Sequence, residues 1–109
     1  MAQKPETLFK NKVRKALKSL PACWFTKIQQ VTINGTPDIL ACINGIFVAL
    51  ELKASYSDRE TELQKYNLKK IGESGGYGIV AHPDNWDTIY KFLSVLATEG
   101  REEANKILH

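Results

Sequence analysis

Apolar and polar positions along this 109-residue chain change period several times, and each change predicts an element. From Pro5 to about Leu20, the residues Phe9, Val13, Ala16, Leu17 and Leu20 recur at helical spacing, and Pro5 suits the first position of a helix. Pro21 ends that pattern. Cys23 to Ile33 is rich in aromatic and β-branched residues and reads as a strand running to a turn at Asn34-Gly35. Two further β-rich runs flank Asn44-Gly45, both of which accept the positive φ of a type I′ turn, so a β-hairpin is predicted there. Ser57 and Glu60 have the spacing of a capping box that opens a helix to about Ser74, with Gln64, Leu68 and Ile71 on one face and Thr61 a turn before Gln64. Gly75-Gly76 closes it, Tyr77 to Ala81 predicts a fourth strand, and Asn85 to Ala97 a helix with Trp86, Ile89, Tyr90, Leu93 and Leu96 as its buried stripe. Residues 99–109 read as a terminal helix or tail. The order α-β-β-β-α-β-α gives an α/β fold, a small mixed β-sheet flanked by helices, in a single domain with its core at about residues 5–98.

A two-residue hairpin loop fixes the register. Ile43 faces Ile46, Cys42 faces Phe47, Leu40 faces Ala49, and Asp38 faces Glu51. Because side chains alternate, Asp38, Glu51 and Lys53 share one face, while Ile39, Ala41, Ile43, Ile46, Val48, Leu50 and Leu52 fill the other. Opposed carboxylates with Cβ atoms about 5 Å apart repel, by a bare term on the order of 3 kcal/mol at an effective dielectric of 20. A raised pKa on one acid, a nearby cation or a bound divalent ion offsets such repulsion. Two carboxylates and a backbone carbonyl suit a hard ion such as Mg²⁺ or Mn²⁺, and Lys53 supplies a cation on the same face.

Composition narrows the class. With 43% hydrophobic and 25% charged residues the chain fits one globular domain. It has no apolar run long enough to span a bilayer and no apolar stretch behind its basic start, so neither membrane insertion nor secretion is indicated. Cys23 and Cys42 lack metal-ligand spacing and read as small buried hydrophobes of a reducing compartment, although Cys42 shares the parity of Asp38. The net charge of +3 is uneven: Lys4, Lys10, Lys12, Arg14, Lys15 and Lys18 stand against Glu6 alone in the first 20 residues. Such a run is either a solvated helix face or a phosphate-facing surface, and Lys27 is likewise a solvated strand residue or a phosphate contact. Glu6 falls on the apolar side of the first helix, where it is either a first-turn acid favoured by the helix dipole or a third carboxylate reaching the acid pair. Gln64 is a boundary amide or a site residue, and His82 reads as a strand-end hydrogen bonder.

Pro37-Asp38, followed after a hairpin by Glu51-Leu52-Lys53, resembles the PD-(D/E)XK nuclease superfamily. Adding the early helix with Glu6, the run Gly35-Thr36-Pro37-Asp38, and Thr61 with Gln64 on the next helix, the pattern resembles the VRR-NUC branch of stand-alone phage or bacterial type, over roughly residues 5–82. The resemblance implies a Mg²⁺-dependent endodeoxyribonuclease, with Mn²⁺ able to substitute. Asp38, Glu51 and the Leu52 backbone carbonyl would bind the metal, and Lys53, Gln64 and Glu6 would complete the catalytic set. Lys10, Lys12, Arg14, Lys15, Lys18 and Lys27 are the candidate nucleic-acid contacts. It further implies DNA as substrate, branched or four-way junctions rather than a defined sequence, a homodimer, and the cytoplasm of a bacterial cell or phage-infected host. The competing readings are a non-catalytic nucleic-acid-binding module that keeps the fold and a metal-stabilised structural protein. A damaged site would mark the first, yet Asp38, Glu51 and Lys53 are all present; the basic first helix argues against the second.

Overall fold

The computed structural model describes residues 4–29, 34–55 and 57–108. Helix α1 (Pro5–Ser19) has proline at its start, where a missing N–H costs no hydrogen bond, and ends at Leu20, whose backbone is extended. Three strands follow, β1 (Cys23–Lys27), β2 (Ile39–Ile43) and β3 (Ile46–Leu52), and then α2 (Glu62–Glu73), β4 (Tyr77–Ala81), α3 (Trp86–Thr98) and a short α4 (Arg101–Asn105). The sheet order is β1-β2-β3-β4. The first three strands form an antiparallel meander, whereas β4 runs parallel to β3, a pairing that needs a crossover, supplied by α2.

The hairpin turn has φ of 52° at Asn44 and 79° at Gly45, the left-handed pair that a type I′ turn demands. Its register is the expected one, from Ile43 opposite Ile46 to Ile39 opposite Leu50. One sheet face therefore carries Ile39, Ala41, Ile43, Val48, Leu50 and Leu52, all buried against Phe9, Val13 and Leu17 of α1 and Trp86, Ile89, Phe92, Leu93 and Leu96 of α3. The opposite face receives α2. A Cβ on Gly78 would lie 2.4 Å from the Leu68 carbonyl oxygen, so only glycine lets the helix backbone come this close to β4.

Several sequence expectations need correction. Strand β1 ends at Lys27 rather than Ile33, because its partner β2 begins only at Ile39; the Ile28 N–H still reaches the Asp38 carbonyl at 2.8 Å. Residues 30–33 of the expected strand lie outside the described residues. Helix α2 starts at Glu62 and is capped by Thr61, not by Ser57, whose hydroxyl instead bonds Ser55. Neither cysteine is fully buried: Cys23 is half-buried, and Cys42 is exposed on the part of the sheet that α2 leaves bare. The terminal segment forms α4, held by Arg101, which stacks over the Tyr77 ring and donates to the Gly75 carbonyl. Among the described residues, no helix is long and apolar enough to cross a membrane.

Candidate active site

The acid pair assembles at the end of the sheet where β3 finishes. Asp38 directly precedes β2, and its Oδ2 accepts the backbone N–H of Leu52 at 2.7 Å, which ties the start of one strand to the end of the other. Glu51 is only 2% exposed. Its carboxyl is pushed up to about 8, first by burial, then by a hydrogen bond with Asp38 and by the charge of Asp38, with Lys53 and Lys10 opposing the rise. The repulsion expected between the two acids is thus eased by the proton that Glu51 retains, and desolvation outweighs repulsion in holding it there. Glu51 Oε2 is buried, and among the described residues no donor reaches it.

Lys53 lies just beyond β3, and its Nζ donates to Gln64 Oε1 at 3.1 Å. The same oxygen accepts the Thr61 backbone N–H at 2.8 Å, while Thr61 Oγ1 accepts the Gln64 backbone N–H at 3.1 Å. This reciprocal pair is a capping box, so the side chain that starts α2 also tethers the lysine.

These groups line a polar cleft of about 410 Å³, shared by Glu6, Lys10, Asp38, Glu51, Leu52, Lys53, Ala54, Asp58, Arg59 and Gln64. Glu6 does not sit on a buried face. It occupies the exposed first turn of α1 and pairs with Lys10 at 3.4 Å, at the rim of the cleft. Among the described residues, no three His, Cys, Asp or Glu side chains converge as a metal-holding group, so the acidic centre is the Asp38–Glu51 pair. The basic residues divide by helical position. Lys10 and Arg14, one turn apart, join Lys27 around a small recess beside Asp38. Lys12 and Lys15 instead line a groove against Trp86, Asp87 and Tyr90 of α3, away from the acids, and Lys18 is exposed. Asp58 and Arg59 were not legible as site residues. They come from the irregular loop between β3 and α2, where no periodicity indicates which way a side chain turns.

Comparison with protein-family models returns no match, and comparison with curated protein sequences returns none either. Among solved structures, one described as a "VRR_NUC domain" superposes with a TM-score of 0.67 over 91% of this chain and 100% of its own, at 15% sequence identity. At that identity the likeness is one of architecture: a mixed four-stranded sheet, flanked by helices in the order α-β-β-β-α-β-α, gives this chain the fold of that VRR_NUC domain.

Proposed function

We propose that this protein is a metal-dependent nuclease that hydrolyses phosphodiester bonds in DNA, selecting branched or four-way-junction structure over sequence and working in the cytoplasm as a homodimer. The observation that carries the reading is the buried Glu51 carboxyl, held against Asp38 with one oxygen lacking any donor, beside a lysine tethered by Gln64. A buried polar atom without a partner is rare in folded proteins, and a bound ion beside the acid pair would satisfy this one.

The donor set fits a hard divalent cation. Asp38, Glu51 and the Leu52 backbone carbonyl would hold Mg²⁺, with Mn²⁺ able to replace it. Such an ion, when bound, polarises a phosphoryl oxygen and lowers the pKa of an attacking water. The protein's own groups do the rest. Glu51 releases its proton to become a ligand, which ties activity to pH. Lys53, kept on the cleft by Gln64, aims an ammonium at charge that develops on the phosphate. Lys10 lines the same cleft and adds positive potential to its mouth. Paired cuts on a two-fold substrate need two such sites at a fixed spacing, which favours a symmetric dimer.

The test is incubation with labelled linear, nicked, flapped and four-way DNA in Mg²⁺, Mn²⁺ or EDTA, with sedimentation analysis of the same preparation. Cleavage of the four-way substrate with either metal and none in EDTA, by a species of twice the monomer mass, is the expected result. DNA binding with no cleavage under any condition would leave the non-catalytic module as the better reading.

A further inference from the structure

Glu6, Lys10 and Arg14 lie on one strip of α1 at intervals of four residues, each about 6 Å further along the helix axis. The first two pair with each other. Arg14 Nε is buried and, among the described residues, has no hydrogen-bond partner. Lys27, at the end of β1, faces the same recess, and among the described residues its ammonium makes neither an ion pair nor a hydrogen bond. The other walls are the apolar Ile39 and Leu52, together with Lys10 and Asp38. Asp38 is not a free counter-ion for the cations, since its Oδ2 takes the Leu52 N–H and its carboxyl bonds Glu51. The recess itself, at about 10 Å³, admits no more than a water, so the Arg14 guanidinium and the exposed Lys27 ammonium offer their hydrogen-bonding capacity to a larger anion only at its mouth.

A guanidinium fork matches the oxygens of a tetrahedral oxyanion, and a neighbouring lysine adds a point charge. We propose that Arg14 and Lys27 form, at the mouth of this recess, a phosphate subsite that contacts a backbone phosphodiester of a nucleic-acid strand, next to the phosphate presented to Asp38 and Glu51. Lys10 lines both the recess and the acid cleft, so the two are contiguous. The identity of the ligand as a nucleic-acid strand rests on the proposed function; the presence of an anion site does not. The subsite places the strand along the α1 and β1 side of the cleft, and it assigns the Lys12 and Lys15 side of α1 no part in holding this phosphate.

The experiment measures binding of a fluorescein-labelled DNA duplex in EDTA over a range of salt, for the parent, Arg14→Met, Lys27→Gln and the variant carrying both, alongside melting with and without inorganic phosphate. Each variant should bind DNA about ten- to a hundredfold more weakly, the range expected for one charge-assisted contact. Because the two residues share a single phosphate, the double variant should flatten the salt slope by about one rather than two. Arg14→Met should melt at or above the parent temperature, as it removes a donor with no partner, whereas a structural role for Arg14 would lower it. If Arg14→Met does not fold, Lys27→Gln, altered at an exposed residue, carries the test alone. Unchanged DNA affinity and slope in both variants would overturn the subsite. Loss of stabilisation by inorganic phosphate with DNA affinity intact would also overturn it, by showing that the recess takes a free anion. A parent that binds DNA through these residues but cuts nothing would refute the nuclease reading while supporting the subsite.

Discussion

Replacing Glu51 with glutamine tests the electrostatics of the acid pair without any catalysis. The native carboxyl holds its proton to about pH 8, whereas the same group in an unfolded chain releases it near 4.5. Between those limits the native state binds one more proton than the unfolded state, so unfolding free energy falls as pH rises, by about 1.4 kcal/mol per unit. Stability from this group is fully present below 4.5 and lost by the time pH passes 8. The full swing is on the order of 4 to 5 kcal/mol. Glutamine is nearly isosteric, neutral and unable to titrate, so in EDTA the variant should lack this slope. Other titrating groups are common to both proteins and cancel in the difference. For a chain of 109 residues about 1 kcal/mol corresponds to roughly 4 °C in Tm. The melting temperature of Glu51→Gln relative to the parent should therefore climb by roughly 15 °C from pH 5 to pH 8 and level off above it. Calorimetric or circular-dichroism melts at half-unit pH steps would read this directly. Parallel curves for the two proteins would refute the reasoning, because a Glu51 that titrates normally cannot be both desolvated and proton-sharing with Asp38.

Three further outcomes follow from the same geometry. Asp38→Ala, Glu51→Ala and Lys53→Ala should each abolish metal-dependent cleavage while DNA affinity in EDTA stays within a few-fold of the parent; full cleavage by any one of them in a gel assay would remove that residue from the proposed machinery. The parent's cleavage rate should rise about tenfold per pH unit up to about pH 8 and then flatten, as Glu51 becomes available as a ligand, and a pH–rate profile flat from 6 to 9 would contradict this. Gly78→Ala should cost a few kcal/mol, since its methyl carbon would have to displace the Leu68 backbone from 2.4 Å, and an unchanged denaturant midpoint would show that α2 can shift freely on the sheet.

The hairpin was legible from sequence because Asn44-Gly45 admits one turn geometry, and a two-residue turn leaves one register, which puts Asp38 level with Glu51. The helix cap was not, since Ser57-x-x-Glu60 and Thr61-x-x-Gln64 both satisfy the same short pattern and only packing of α2 on β4 chooses between them. Charge along α1 was visible, but counting lysines does not say which turn toward the acids. Spacing does: Lys10 and Arg14 are four apart, whereas Lys12 and Lys15 sit around the helix from them. Exposure of Glu6 was hidden for a different reason, as helical period predicts a face but not where that face runs past the sheet it covers. The loop that brings Asp58 and Arg59 to the cleft carries no periodic signal at all.

A single oxygen, Gln64 Oε1, receives both the N–H that begins α2 and the ammonium of Lys53. Helix ends are where proteins open first, at a free-energy cost well below that of global unfolding. In most helices such fraying is silent. Here each opening of the first turn of α2 also frees Lys53 from its tether, so the local breathing of a surface helix end becomes the clock that decides how long that lysine stays mounted on the cleft. Amide exchange at Gln64 and Lys65, whose N–H groups are bonded within that turn, would report the same event as the lifetime of the mounted lysine.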